Sequence, residues 1–489
     1  MKTYIKNLFL LPVLIACLGL LPAGRATAQT FTTLHSFTTV STNSSGIYTN
    51  SDGGGPTSGL ILSGNTLYGT TSGAGSLGFG TVFRVNTDGT GFTNLHNFTI
   101  SDGILPGGNG VFGGVGGGDL VLSGNTLYGT ADEGGSSGNG TVFRLNTDGT
   151  RFTNLYNFAG YPSDGANPVA GLILSGNTLY GTTSLAIDDG SSFNGTVFKV
   201  NTDGTDYTNL HKFAGPSDGA YPFSVLILSG NALYGTTDSG GGAGFGTVFK
   251  VNTDGTGYTN LFSFIAGSTN SSGVYTNSDG SDPDGNLILS GGTLYGTASN
   301  GGTNAFGTVF KVNTNGTGFT TLHSFTGRSA PSYSPYMWGE LMLSGNALYG
   351  TAAFGGNSDA GTVFAVNTDG TSFTTLYSFT ATSGSPYGNL TISGNTLYGT
   401  AVLGGTNGAG TVFSITLPQP QLTINRSAAN VVLIWPTNTA GLTFTLQSTT
   451  NLVSPAGWNI VSPVSAVVSG QNTVTNPISG TQQFYRLSQ

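Results

Sequence analysis

Along most of the chain, short apolar runs alternate with turns rich in glycine, serine and threonine, and the same order of pieces keeps returning. The stretch from Gly59 to Phe98 shows it most plainly. Leu60-Ile61-Leu62 is a continuous apolar run, as expected of a strand buried on both faces. Ser63-Gly64-Asn65 turns the chain into a second strand, Thr66-Leu67-Tyr68-Gly69-Thr70, and a glycine-rich loop leads to a third, Thr81-Val82-Phe83-Arg84-Val85. Asp88-Gly89 predicts a tight hairpin of type I′, which needs φ > 0 at both central residues. The fourth strand spans Phe92 to Phe98.

This unit recurs seven times. Leu-Tyr-Gly-Thr starts at Leu67, Leu127, Leu179, Leu233, Leu294, Leu348 and Leu397, and Gly-Thr-Val-Phe starts at Gly80, Gly140, Gly195, Gly246, Gly307, Gly361 and Gly410. Four strands per unit with both faces apolar predict the blade of a β-propeller, packed between neighbours in a ring. The ends carry a matched deficit. Phe31 to Phe37 reads as a fourth strand ahead of the first full unit, whereas the last unit stops after its third strand, Thr411 to Ile415. The expected fold is all-β, a seven-bladed β-propeller with four strands per blade whose N-terminal strand closes the last blade. An open β-solenoid is the competing architecture and would have no use for that deficit.

Leu-Tyr-Gly-Thr-Thr, Gly-Thr-Val-Phe-(Lys/Arg)-Val and Ser-Asp-Gly-Ala-x-Pro recur in fixed order over roughly residues 31–416, and together they resemble the bacterial GloVer (Gloeo-Verruco) tandem repeat. The resemblance implies a secreted or surface β-propeller-like protein of unassigned activity, and it carries no catalytic residue.

The flanks differ from the repeats. Lys2 and Lys6 precede an apolar run from Leu8 to Leu21, and Ala26-Thr27-Ala28 is a small-x-small cleavage site, so residues 1–28 read as a signal peptide. Cys17, the only cysteine, lies inside it. Leu14-Ile15-Ala16-Cys17 resembles a lipobox, the alternative being a lipoprotein anchored at Cys17, but the apolar run continues past the cysteine. The propeller is expected over 29–417, with Pro418-Gln419-Pro420 as a linker. Residues 421–489 lose the repeat motifs and show strands at Leu422-Thr423-Ile424, Val431 to Trp435, Phe444 to Gln447 and Phe484 to Leu487, which predict a small β-sandwich. It resembles the C-terminal modules of other secreted bacterial proteins that end in a Phe-Tyr-Arg-Leu-like strand. Trp435 and Trp458 suit either its core or a sugar platform.

Composition narrows the function. Charged residues make up 7% of the 489, Gly 82 of them, and the net charge is −8. This excludes coiled coils and charge-driven disorder and leaves nucleic-acid binding without an electrostatic basis. No later stretch approaches the length of a transmembrane helix. No Gly-x-Ser-x-Gly elbow or zinc-ligand spacing occurs, so no metal, cofactor or catalytic residue is assigned. Glu133 and Glu340 are the only glutamates and belong to different repeats, while Asp188-Asp189 reads as a solvated loop tip.

Turns after the first and third strands are short and nearly invariant, whereas connections after the second and fourth vary. In an up-and-down sheet all the variation therefore falls on one face, where a binding site is expected. Two groups stand out there. Asp52, Asp102, Asp164, Asp218 and Asp279 repeat in Ser-Asp-Gly, either as turn residues or as a partial acidic ring for a cation. Tyr333, Tyr336, Met337 and Trp338, followed by Glu340, replace that motif in one loop and would suit stacking on a sugar. His35, His96, His211 and His323 share one repeat position with Tyr156, Phe262 and Tyr377, which marks it as a packing position with a polar tip. The near-identity of Ser41–Gly53 and Ser268–Gly280 reflects copying. The expected function is a secreted or cell-surface, non-catalytic binding protein for polysaccharide or a surface protein. A structural envelope protein and a polysaccharide-active lyase or hydrolase are the alternatives.

Overall fold

The computed structural model describes residues 29–104, 118–160, 163–184, 194–269, 275–326, 341–418, 420–427, 429–436, 444–450, 458–461, 465–468, 471–477 and 483–488. They divide into two compact units, Thr30–Thr416 and the chain from Leu417 onward. All regular structure among them is β.

In the larger unit the repeats fold into seven four-stranded antiparallel sheets. Six follow chain order, the first being Ile61–Ser63, Thr66–Thr71, Thr81–Asn86 and Thr93–Asn97. The seventh holds Thr391–Ser393, Thr396–Ala401 and Thr411–Thr416, and its fourth strand comes from the other end of the unit, Thr30–Ser36. Thr32 pairs with Ser414 and Phe31 with Ile415.

The sheets are glued by cores that lie between them. Leu67, Val82, Phe83 and Val85 are fully buried, as are their counterparts in the other repeats. One core joins Tyr68 and Val82 to Leu127 and Phe143 of the next sheet, and another joins Phe37 and Val412 of the seventh sheet to Leu67 and Phe83 of the first. Each fully buried Leu or Phe contributes roughly 1.5–3 kcal/mol. The invariant Gly of Leu-Tyr-Gly-Thr follows from this packing: a Cβ on Gly235 would lie 2.7 Å from Phe249 Cζ and 2.9 Å from Leu226 Cδ2. The aromatic ring needs that space.

The turns partly depart from expectation. Gly89 has φ +83°, but Asp88 is not in the positive region, so the hairpin is not type I′. Asp88 Oδ1 accepts from the Thr90 amide at 2.9 Å and the Thr90 hydroxyl at 2.7 Å, and Asn86 N–H donates to Thr90 O. This is the three-residue loop with a type I turn closed by a left-handed glycine. The fourth strand also carries a bulge, with His96 opposite Val82 and Asn94 opposite Phe83, so that Leu95 is extra. The variable connection after Phe37 holds a small hairpin whose two-residue strands, Ser41–Thr42 and Tyr48–Thr49, pair antiparallel.

The second unit has a four-stranded sheet (Thr423–Ser427, Asn430–Pro436, Gln471–Pro477, Ala466–Val468) and a three-stranded one (Asn459–Ile460, Thr445–Thr449, Phe484–Ser488). Leu433, Trp435, Leu446, Val461 and Val474 form its core, so Trp435, 3% exposed, is a core residue. Trp458 instead carries the Arg486 guanidinium over its ring at 4.2 Å.

Candidate functional site

The shared His/Tyr/Phe position packs between sheets. Each ring stacks face to face on an aromatic at the start of the fourth strand of the next sheet. His35 lies on Phe92, His96 on Phe152, Tyr156 on Tyr207, His211 on Tyr258, Phe262 on Phe319 and His323 on Phe373, with centroids 3.6–3.9 Å apart. Tyr377 stacks on Phe31 at 4.2 Å, returning to the strand that carries His35. Burial holds the imidazoles of His96, His211 and His323 below their ordinary pKa, and Asp102 and Asp218 pull the first two the other way.

Four of the five Ser-Asp-Gly carboxylates meet the tips of these rings. His35 Nε2 lies 2.9 Å from Asp52, His96 Nε2 3.1 Å from Asp102 and His211 Nε2 3.0 Å from Asp218, while the Tyr156 hydroxyl donates to Asp164 at 2.6 Å. The same carboxylates accept backbone N–H groups of the turn leaving the fourth strand, from Thr38, Thr99, Ala159 and Ala214. For Asp52 burial opposes ionisation, but the donors from His35 and Thr38 outweigh it and hold the carboxyl below its usual value. Asp279 differs: Phe262 supplies no donor, and its carboxylate accepts from the neighbouring Ser278 hydroxyl at 2.6 Å. The five aspartates occupy five different repeats, and among the described residues no three His, Cys, Asp or Glu side chains gather as a metal site.

Tyr333, Tyr336, Trp338 and Glu340 lie outside the described residues, as do Asp188-Asp189 and residues 1–28 with Cys17. Glu133 is described and forms a backbone bridge to Ile104.

Sequence reading missed two features. The first is an acidic cluster where the fourth and fifth repeats meet: Asp284, 6% exposed, accepts from Ser299 Oγ at 2.5 Å, and Asp238 and Asp282 stand beside it. Burial raises Asp284 well above the carboxylate range, reinforced by Asp238, and burial raises Asp282 to about 6. The second is an open cavity of about 500 Å³ lined by the first strands and preceding residues of five sheets, its surface divided about evenly between polar and apolar atoms, with Asp119 among its lining residues. Asp119 Oδ1 accepts from Gly59 N at 2.6 Å and Oδ2 from Asn389 Nδ2 at 2.5 Å, and burial pushes its carboxyl up. The signal lay in the residue before each first strand, which is Gly59, Asp119, Gly171, Val225, Asn286, Glu340 and Asn389 in turn.

Repeated four-stranded antiparallel sheets with apolar cores between them define an all-β, propeller-like repeat protein. The chain belongs to the Gloeobacter/Verrucomicrobia repeat family, whose model matches residues 24–184, 113–276 and 267–432. No curated protein matches its sequence. Among solved structures it is similar to an oligogalacturonate lyase in complex with manganese (12% identity, 82% of this chain and 99% of that one, TM-score 0.45). It is also similar to a protein of Bacteroides uniformis assigned as a 6-phosphogluconolactonase (17% identity, 78% and 94%, TM-score 0.44). Among the described residues no helix is long and apolar enough to cross a membrane.

Proposed function

We propose that this is a secreted or cell-surface, non-catalytic binding protein, released by a signal peptide over residues 1–28. Its repeats close into a seven-bladed propeller over 29–417, followed by a linker at 418–420 and a β-sandwich module over 421–489. Closure is supported by the pairing of Thr30–Ser36 with Thr411–Thr416 and by hydrogen bonds from Thr400 Oγ1 to Ser58 O (2.9 Å) and from Gly55 N to Ala409 O (2.9 Å).

The observation that carries the binding reading is that loop variation is confined to connections after the second and fourth strands, on a frame whose other turns repeat almost unchanged. A rigid frame with one diversified rim is how folds present recognition loops. Within that rim the ligand, a polysaccharide or a surface protein, engages Tyr333, Tyr336 and Trp338 by stacking, with Glu340 accepting hydroxyl donors. Loss of glycan-array binding in Trp338→Ala supports this assignment, and a wild-type array profile in that variant rejects it.

Asp52, Asp102, Asp164 and Asp218 act in this reading as caps of the turns leaving the fourth strands, since ring tips and backbone amides already occupy their oxygens. Cation binding by the five Ser-Asp-Gly aspartates, Asp279 included, is the second reading, and a rise in melting temperature with millimolar calcium would favour it.

A further inference from the structure

The connection that leads into the fourth sheet carries a backbone outlier. Tyr221 has φ +57°, in the left-handed region that a bulky side chain rarely enters. The fold dictates the backbone there. Tyr221 N–H donates to Asn194 O at 3.0 Å, and its carbonyl accepts the Asp238 amide at 3.0 Å. Gly55, Asn167 and Asp282, each likewise just before a proline, make the same pair of backbone bonds in other repeats, at φ +62°, +54° and +56°. Those are the residue types that suit this conformation, glycine because it has no Cβ and asparagine and aspartate by local hydrogen bonding. A tyrosine does nothing for the turn. Strain of this kind at a binding face marks a side chain kept for what it presents.

The Tyr221 ring is half-buried, on the rim of varying connections, and lies nearly parallel to the Phe223 ring, at 13° with centroids 6.3 Å apart. The rings that pack sheet against sheet sit far closer, at 3.6–3.9 Å. Neither Tyr221 nor Phe223 enters the cores flanking the fourth sheet, which take Leu210, Phe213 and Leu226 on one side and Val248, Phe264 and Leu287 on the other. Asp238, joined to Tyr221 through that amide, brings a half-buried carboxylate to the adjoining loop. The two aromatics stand five and three residues before the buried Leu226, and the same two positions before Leu341 hold Tyr336 and Trp338.

We propose that Tyr221 and Phe223 form a saccharide subsite on the variable rim, for a neutral pyranose chain that stacks on their ring planes. The apolar C–H face of a pyranose matches the rings, and its hydroxyls match the Tyr221 phenol and the Asp238 carboxylate. A uronate would bring its charge against Asp238, with Asp282 and Asp284 behind it, so the chain is neutral. The site deepens the polysaccharide reading and rests on it, but on residues other than Trp338 and its neighbours.

The test is affinity electrophoresis of the full chain through native gels containing hydroxyethylcellulose, galactomannan, amylopectin or polygalacturonate, with melting temperatures measured alongside. At least one neutral polymer should retard the wild type, and polygalacturonate should not. Tyr221→Asn and Phe223→Ala should each weaken that affinity about five-fold or more. Because asparagine suits the left-handed backbone, Tyr221→Asn should melt at or above the wild-type temperature, which a tyrosine held for packing would not allow. Trp338→Ala separates the two assignments. Loss of retardation in Tyr221→Asn with Trp338→Ala unchanged leaves this site standing and removes the Trp338 one, and the converse removes this site alone. No retardation of the wild type by any neutral polymer, equal or stronger retardation by polygalacturonate, wild-type affinity in Tyr221→Asn, or a lowered melting temperature in that variant would overturn the proposal.

Discussion

Replacing Gly235 by alanine tests how the repeats pack. An alanine would ordinarily help a strand, since glycine in a strand interior costs roughly 0.5–1 kcal/mol in backbone entropy. Here the added Cβ would stand 2.7 Å from Phe249 Cζ, 2.9 Å from Phe249 Cε1 and 2.9 Å from Leu226 Cδ2, all closer than carbon atoms tolerate. Phe249 is fully buried and Leu226 is 1% exposed, so neither has open space to retreat into. Overpacking of this kind costs about 1–3 kcal/mol and outweighs the entropic gain. Spread over the unfolding entropy of a unit this long, the loss amounts to roughly 1–4 °C in melting temperature. Differential scanning calorimetry of Gly235→Ala, Phe249→Leu and the double variant reads it out. The shorter side chain at 249 vacates the place the new methyl needs, so the double variant should be more stable than the sum of the single losses predicts, by about 1 kcal/mol or more. Additive losses, or an alanine variant as stable as the wild type, would refute the close-approach reading of the glycine in every Leu-Tyr-Gly-Thr motif.

Two further expectations concern buried carboxylates. Asp164, 4% exposed, accepts from the Ala159 and Gly160 amides, the Ser163 hydroxyl and the Tyr156 hydroxyl, so Asp164→Ala should cost about 2–4 kcal/mol by leaving those donors unpaired, whereas Asp279→Ala should cost under about 0.5 kcal/mol; equal melting temperatures would contradict this. Asp282, raised to about 6 by burial, binds its proton more tightly folded than unfolded, so its contribution to stability is present below pH 3.8 and is lost as the pH rises through about 6. Asp282→Asn should therefore raise the melting point at pH 7.5 by an amount equivalent to about 1–2 kcal/mol and leave it nearly unchanged at pH 4, and the reverse pattern would show that the cluster does not repel.

Much of this architecture was legible because the repeats act as internal controls. Seven copies of two motifs forecast seven four-stranded sheets, and the unmatched strands at Phe31 and Thr411 forecast their pairing. The residues that join sheets were harder to read, because their partners lie far apart at irregular distances. His35 meets Asp52 17 residues on, but His96 meets Asp102 after 6, and no fixed spacing announces the contact. The interchange of His, Tyr and Phe at one position hinted at packing, yet the stacking ring belongs to the next repeat, as Phe92 does for His35. The hairpin at Asp88 departed from the expected type because the aspartate side chain binds Thr90 and stabilises a right-handed turn, leaving only Gly89 left-handed. The cavity escaped notice because the residue before the first strand differs in nearly every repeat, so nothing there looks like a motif.

Cross-strand disulfides test most directly the proposed closure of the ring by the N-terminal strand. In the chain without residues 1–28, which hold the only native cysteine, Thr32→Cys and Ser414→Cys place two thiols on directly paired residues, close enough for a disulfide. Thr32→Cys with Thr416→Cys is two residues out of register. Mass spectrometry after mild oxidation should find the in-register disulfide, between positions 32 and 414, formed in nearly every folded molecule and the out-of-register link absent. Two free thiols in the in-register variant, or equal yields from both pairs, would contradict closure.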